Sequence, residues 1–176
     1  VSPASTDFLG KTTLHNFSAF TPTITNLRPT SRGSVEIKSS DTRISPRIQM
    51  NYLSTDEDKE MAGKSIKITR NIVMNSNAFK KYKPEELRPG IHIKDNETLA
   101  MEAGKYANTI FHPVSTCRMG KDEKAVVSDR LVAHGLKNLR IVDASVMPHI
   151  TSGNTNAPTV MIAEKASDMI IEDSKT

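Results

Sequence analysis

The chain has 176 residues, which is enough for one domain with a sizeable core and short for two independent domains. Its 24 basic and 20 acidic residues give a formal net charge of +4, and the basic residues cluster tightly only at Lys80, Lys81 and Lys83. This dispersed charge argues against a nucleic-acid-binding face, which needs concentrated positive charge with stacking aromatic residues. The sequence lacks the run of about 18 apolar residues that a membrane-spanning helix requires.

The single cysteine, Cys117, excludes an internal disulfide and fits a reducing compartment. We therefore expect a cytoplasmic or peripherally membrane-associated protein. The chain begins at Val1 rather than methionine, so we expect that the natural N-terminus is missing and that targeting signals are not readable.

The N-terminal part of the sequence predicts an antiparallel sheet. β-Branched residues alternate over residues 14–27 as in a strand, although Pro22 confines that strand to a sheet edge, a bulge or a break. Turn residues at positions 28–33 separate it from a second strand over residues 34–38. A third short strand is predicted near residues 47–51.

Two helices are predicted next. Ser54 or Thr55 caps the first, whose acidic first turn suits the positive end of the helix dipole and which extends to about Asn77. Asp95 or Asn96 caps the second, which extends to about Asn108.

The segment HPVSTCRMG begins at His112, directly after the second helix. Short apolar runs predict strands over residues 125–133 and 139–143. The last helix is predicted to start at Ala157 and Pro158, since proline is well tolerated in the first turn.

Two polar residues of this second half are candidates for chemistry. His112 precedes Pro113, which favours an extended backbone, and imidazole is a suitable base for an alcohol proton. Asn156 lies at the start of the last helix, where free N–H groups favour an electron-accepting ligand. Taken singly, each residue is better explained without chemistry, His112 as a packed histidine and Asn156 as an ordinary cap residue. The other histidines and Cys117 lack the spacing of metal ligands or of a nucleophile, and no metal site is expected.

Three ordered motifs resemble the C-terminal region of the glucose–methanol–choline (GMC) family of FAD-dependent oxidoreductases. They are HPVSTCRMG, NLRIVDASVMP and ITSGNTNAPTVMIAEKA, and the resemblance extends from Leu27 to the last helix, closest to choline-dehydrogenase-like bacterial members. It implies an α+β fold, in which a mixed or antiparallel sheet of the substrate domain packs with helices. C-terminal strands and a helix would complete a dinucleotide-type FAD domain, whose main part is expected elsewhere because the sequence contains no GxGxxG turn.

The resemblance also implies roles for particular residues. His112 falls on the family's active-site histidine in the H-P-x-G-T motif, and Asn156 falls on its partner, which is His or Asn. The turn of Asp143 and Ala144 matches a segment whose backbone contacts FAD. Asn156, Ala157, Pro158 and Thr159 match the helix start beneath the pyrimidine end of the flavin. Ser115 departs from the pattern, because glycine is usual there.

The implied function is oxidation of a CH–OH donor, such as choline or another primary alcohol. His112 accepts the hydroxyl proton, Asn156 donates a hydrogen bond to the developing alkoxide, and a hydride passes to atom N(5) of the flavin. Residues 1–108 would form part of the substrate-binding domain, and residues 109–176 the active-site motif and the C-terminal part of the FAD domain.

Two alternatives remain open at this point. The chain could be a non-catalytic substrate-pocket or scaffolding module that needs a separate FAD-binding partner. It could also belong to a flavin-bearing lyase that uses the histidine without net redox chemistry. In the favoured interpretation the partner is the N-terminal FAD-binding portion of the same protein, and the isolated chain is expected to be inactive.

Overall fold

A computed structural model of the chain describes residues 1–6 and 14–175, which form two compact units. The first unit comprises Val1–Gly33 and Met50–Thr109, and the second comprises Ser34–Gln49 and Ile110–Thr176. The elements in chain order are β1 (Ser34–Glu36), β2 (Arg47–Gln49), α1 (Asp56–Asn75), α2 (Asn77–Lys80), α3 (Asn96–Tyr106), a 3-10 turn (Ala144–Val146) and α4 (Asn156–Asp173). Helices with a small antiparallel sheet agree with the predicted α+β class at this coarse level.

The two predicted helices of the first unit begin at their predicted caps. Thr55 Oγ1 accepts a hydrogen bond from the Asp58 N–H at the start of α1, and Asp95 Oδ1 accepts one from the Thr98 N–H (2.8 Å) at the start of α3. Helix α1 ends at Asn75 because Ser76 is extended, and the short helix α2 that follows was not predicted.

Helices α1 and α3 pack against each other in the first unit. Gly63 of α1 permits close approach, since a Cβ atom there would lie 2.6 Å from the backbone oxygen of Asn96. Asn96 Nδ2 donates to the Glu60 carbonyl oxygen of α1 (3.2 Å), and Leu99 of α3 is fully buried. The start of α3 is thereby fixed against the middle of α1.

A buried carboxylate joins the turn at residues 26–31 to α1. Asp58 is only 5% exposed, and it accepts hydrogen bonds from the N–H groups of Thr30 (3.0 Å) and Ser31 (2.9 Å) and from Asn26 Nδ2 (3.1 Å). Burial by itself raises the pKa of Asp58, but the hydrogen bonds from Ser31 and Thr30 outweigh it and the net pKa is lowered. The acidic first turn predicted from helix-dipole chemistry therefore also contains a tertiary anchor.

The predicted strand over residues 14–27 is not formed, and this prediction was wrong. Single bridges join Thr21 to Ser2 and Leu14 to Thr6. Pro22 lacks the N–H group that would extend the ladder beyond Thr21. The second and third predicted strands are present in shorter form as β1 and β2, which pair antiparallel with Val35 opposite Ile48.

The strands predicted over residues 125–133 and 139–143 are replaced by irregular backbone with isolated bridges. These bridges join Val127 to Ala133 and Val132 to Arg140. Leu131 and Asn138 adopt left-handed φ angles of 62° and 57°, which interrupt extended pairing. Asp143 caps the 3-10 turn and does not end a strand, because its Oδ1 accepts from the Ser145 N–H (2.7 Å).

The core of the second unit packs α4 against this irregular segment and the 3-10 turn. Its buried members are Val127, Leu131, Val146, Met147, Ile162 and Ala166. At the far end of α4, Asp173 accepts hydrogen bonds from Arg130 (2.7 Å) and Arg140, and Glu172 also pairs with Arg130 (3.1 Å). Apolar packing and ion pairs thus hold the helix along its length.

No helix in residues 1–6 and 14–175 is long and apolar enough to cross a membrane.

The Asp58 anchor leads to a prediction of pH-dependent stability. Asp58→Asn should lower the free energy of unfolding by about 2 kcal/mol at pH 7, because hydrogen bonds to a charged acceptor are lost. The pKa of Asp58 lies below its ordinary value of 3.8, so the wild-type advantage is present above that value and is lost as the pH falls through the native pKa. Urea unfolding at pH 7 and near pH 3 measures this difference.

The matched control is Asp56→Asn, two residues earlier in α1, where the side chain is almost fully exposed. This change should have a much smaller effect at either pH. Equal destabilisation by the two substitutions would contradict the anchoring role of Asp58.

Candidate active site

His112 occupies a tightly turned segment at the start of the second unit's long C-terminal portion. Phe111, the preceding residue, has a left-handed φ of 60°, which is uncommon for an aromatic residue. The imidazole is partly buried and is bonded through both nitrogens: Nδ1 lies 3.0 Å from Thr155 Oγ1, and Nε2 lies 3.2 Å from Asn154 Oδ1. The ring orientation is therefore fixed from two sides.

Both partners lie in the loop that leads into α4. Thr155 is the N-cap residue of this helix and is 8% exposed, whereas Asn154 is exposed. The backbone oxygen of Thr155 accepts from the Thr159 N–H (3.1 Å) and from Thr159 Oγ1 (2.7 Å). These bonds fix the first turn of α4 and the position from which Thr155 contacts the histidine.

Asn156 is the first residue of α4, as the sequence predicted for the helix start within one residue. In the structure, the ring nitrogens of His112 contact Asn154 and Thr155, the two residues directly before Asn156. It thus brings the helix start to the imidazole, and the convergence of the Asn156 carboxamide on the same ligand stays a prediction. The sequence analysis missed Asn154 and Thr155, because no local pattern links a cap residue to a histidine 43 positions away.

The first turn of α4 differs from that of α1. It contains no acidic residue, its N-cap side chain makes no bond to the helix, and Asn156 and Ala157 are exposed. Pro158 has no N–H group to satisfy. The start of α4 therefore offers free backbone donors and a partial positive charge to an electron-rich group.

The turn at Asp143 and Ala144 contacts the segment that carries His112. The Cys117 N–H donates to the Ser145 carbonyl oxygen (3.1 Å), and the Met119 N–H donates to that of Val146 (2.8 Å). The hydroxyl of Ser145 is buried and has no hydrogen-bond partner within the described chain. Backbone bonding thus places the 3-10 turn beside the segment that follows His112, and the cofactor roles of Asp143 and Ala144 stay predictions.

The backbone conformation of Ser115 explains why glycine is usual at this position of the H-P-x-G-T motif. Its φ is 76°, in the left-handed region that glycine adopts freely. Its hydroxyl lies 2.8 Å from the Met147 carbonyl oxygen and 3.0 Å from that of Pro148. Compared with glycine, serine strains the backbone here, but its hydroxyl adds a hydrogen bond to the segment after the 3-10 turn.

Residues 1–6 and 14–175 contain no group of three or more metal-ligating side chains.

Comparison with known proteins gives a family-model match to "GMC oxidoreductase" over residues 29–163. The oxygen-dependent choline dehydrogenase of Pseudomonas syringae pv. tomato is 44% identical over 156 residues, which are 89% of this chain and 27% of that protein. The pyridoxine 4-oxidase structure from "Mesorbium loti" matches with a TM-score of 0.74 and 36% identity, over 81% of this chain and 28% of that one. An FAD-dependent oxidoreductase from Chaetomium thermophilum matches with a TM-score of 0.80 and 27% identity, over 85% and 26%.

The chain spans about a quarter of the length of the relatives that it matches. FAD is the expected cofactor, and the Chaetomium thermophilum neighbour is an FAD-dependent oxidoreductase. The exposed, uncapped start of α4 beside a fixed imidazole fits the electron-accepting ring of FAD. The sequence contains no glycine-rich turn for the pyrophosphate, so the fit covers the flavin end alone.

Ser115 provides a matched pair of substitutions. Ser115→Ala removes the hydrogen bond and keeps the left-handed strain, so it should lower the free energy of unfolding by about 1 kcal/mol. Ser115→Gly also removes the bond but relieves the strain, and should destabilise less. Urea unfolding compares the two variants. An alanine variant as stable as the glycine variant would show that the backbone at this position is not strained.

Proposed function

Because this chain belongs to the GMC oxidoreductase family, we propose that it forms the C-terminal portion of an FAD-dependent enzyme that oxidises CH–OH groups. The observation that supports this most directly is the imidazole of His112, held through both nitrogens at the start of α4. A base and a helix N-terminus at one place suit a reaction in which an alcohol loses a proton while a neighbouring ring gains negative charge.

In the proposed mechanism, His112 accepts the hydroxyl proton of the substrate at Nε2. The side chain of Asn156 donates a hydrogen bond to the developing alkoxide, which stabilises negative charge that is absent from the neutral alcohol. When bound, FAD supplies the acceptor for the substrate hydride, at atom N(5) of its ring system. The N-terminus of α4 would stabilise negative charge on a ring bound beside it by roughly 0.3–1 kcal/mol, and by somewhat more where the interaction is partly buried.

The residues proposed to hold the cofactor lie on two elements. The backbone of Asp143 and Ala144 would contact the ribityl chain or pyrophosphate, and these residues begin the 3-10 turn that bonds to the segment after His112. Residues 156–159, from Asn156 through Ala157 and Pro158 to Thr159, would lie beneath the pyrimidine end of the flavin. Support comes from the free donors of this first turn.

The functional division that we propose follows the sequence. Residues 1–108 contribute to the substrate-binding part, and residues 109–176 carry the active-site motif and complete the FAD-binding domain. An N-terminal FAD-binding portion of the same protein is the proposed partner. Relatives about four times longer than this chain support the existence of that portion.

Choline or another primary alcohol is the proposed substrate. The name of the Pseudomonas relative makes choline the first alcohol to test. A quaternary ammonium group binds well to aromatic faces, whereas this chain has five Phe, three Tyr and no Trp. We therefore expect the FAD-binding portion to contribute much of the pocket that receives the cationic group.

The second candidate is a non-catalytic module that shapes a pocket for a separate FAD-binding partner. Alcohol-dependent bleaching of the flavin absorbance in the assembled protein distinguishes the two, because a scaffolding module would not reduce the flavin.

The catalytic role of His112 is tested in the full-length, FAD-loaded enzyme. His112→Ala should slow anaerobic flavin reduction by about 100-fold or more, because the base that accepts the hydroxyl proton is removed. Stopped-flow absorbance gives the rate constant. The control is His134→Ala, an exposed histidine of the same unit that bonds to the Gly120 carbonyl oxygen. A wild-type rate in His112→Ala would exclude His112 from the mechanism.

The division of the FAD site is tested by cofactor binding. The isolated 176 residues should bind FAD weakly and show no turnover, because the sequence has no glycine-rich turn for the pyrophosphate. The chain joined to an N-terminal FAD-binding portion should retain the cofactor through gel filtration. Visible absorbance measures the FAD content, and a yellow, stoichiometric complex of the isolated chain would disprove the proposed division.

A further inference from the structure

The N-cap position of α4 is used differently from those of α1 and α3. Thr55 and Asp95 each accept a hydrogen bond from their own helix, whereas the side chain of Thr155 makes no such bond. Its hydroxyl is directed to Nδ1 of His112 (3.0 Å). A threonine at an N-cap normally accepts a hydrogen bond from an N–H group of its own helix, but this one bonds to the imidazole instead.

We infer that Thr155 is the positioning residue of His112, retaining its bond to Nδ1 throughout proton transfer, and that Asn154 occupies Nε2 only until the substrate hydroxyl replaces it. This inference rests on the proposed function of His112 as a base. It adds two residues to the site that the sequence analysis did not assign.

The hydrogen positions explain the different roles of the two contacts. Asn154 Oδ1 can only accept, so its contact with Nε2 (3.2 Å) requires a hydrogen on Nε2. In that arrangement Nε2 has no lone pair for a substrate proton. The Asn154 contact must therefore open before His112 can act, and the exposure of Asn154 leaves room for this exchange.

The Thr155 contact has no such restriction. When Nε2 is free to accept, the neutral ring carries its hydrogen on Nδ1 and donates it to Thr155 Oγ1. As the substrate O–H bond breaks and the Nε2–H bond forms, the ring gains one positive charge while Nδ1 still donates to Thr155. A hydroxyl can also donate to Nδ1 in the other neutral tautomer, so the contact is compatible with every protonation state of the ring.

The surroundings of Thr155 make it a firm support. It is 8% exposed, and its backbone oxygen is bonded to both the N–H and the hydroxyl of Thr159. The opposite end of α4 is held by Arg130 and Arg140 through Asp173. A ring bonded to this helix start has little freedom to turn.

The test compares substitutions of Thr155 in the full-length, FAD-loaded enzyme. Thr155→Val keeps the shape but removes the hydroxyl, and should slow anaerobic flavin reduction by about 10- to 100-fold, the range found for residues that orient metal-binding histidines. Thr155→Ser should restore most of the rate. Ser167→Ala, which removes a hydroxyl bonded to the Ala163 carbonyl oxygen within α4, should leave the rate unchanged.

Asn154→Ala separates the two contacts. The Asn154→Ala enzyme should reduce its flavin at least as fast as the wild type at saturating substrate, because no asparagine contact with Nε2 has to open first. A loss as large as that of Thr155→Val would overturn the inference by making Asn154 the support. So would a Thr155→Val enzyme with normal FAD content and a wild-type rate.

His112→Ala provides the background that distinguishes this inference from the proposed function. Thr155→Val added to His112→Ala should cause no further slowing, and additive slowing would show that Thr155 acts independently of the histidine. If His112→Ala reduces flavin at the wild-type rate, the proposed function fails. If only Thr155→Val does so, the proposed function stands and this inference fails. Should Thr155→Val lose FAD, NMR relaxation of the labelled His112 ring decides, with increased ring motion expected and unchanged motion contradicting the inference.

Discussion

The hydrogen bond between His112 Nδ1 and Thr155 Oγ1 is the contact on which the arrangement of the site depends. It joins a turn that follows a left-handed Phe111 to the first turn of an 18-residue helix. Neither segment by itself fixes an imidazole, because a ring at the end of a turn can rotate about its side-chain torsions. Bonding at both nitrogens removes that freedom and sets the ring beside the uncapped helix start.

The rest of the second unit keeps this helix start in place. Val146 and Ile162 are buried in one core, which packs the 3-10 turn against α4. Ser115 carries left-handed backbone strain between His112 and that turn, and its hydroxyl bonds to carbonyl oxygens at Met147 and Pro148. Strain of this kind persists only where surrounding contacts impose it, and here those contacts belong to the site.

Membership of the GMC oxidoreductase family and the geometry of the second unit support the same chemistry from independent directions. The family match covers residues 29–163, which include parts of both compact units, whereas the imidazole and the helix start lie entirely in the second. The chain spans about a quarter of the length of its relatives. What the structure shows in this chain is an imidazole bonded at both nitrogens beside the uncapped start of α4.

Local chemistry predicted the elements whose ends depend on neighbouring residues. Thr55 and Asp95 are cap residues in the structure because an oxygen side chain at a helix start bonds to an N–H three residues later, within the same segment. The start of α4 was predicted within one residue for a similar reason. The strands predicted over residues 125–133 and 139–143 were wrong, since Leu131 has a left-handed φ inside the first and only isolated bridges join these segments.

The sequence by itself determined the family, the helix starts, and the presence of an imidazole and a helix N-terminus in ordered motifs. The tertiary structure alone decided that Asp58 anchors the turn at Thr30 and Ser31, and that Thr155 bonds to His112 instead of its own helix. Cap preferences and apolar periodicity are set within a few residues of chain. The partner of a buried carboxylate or an imidazole is set by groups 27 to 43 positions away, which only the packed chain brings within bonding distance.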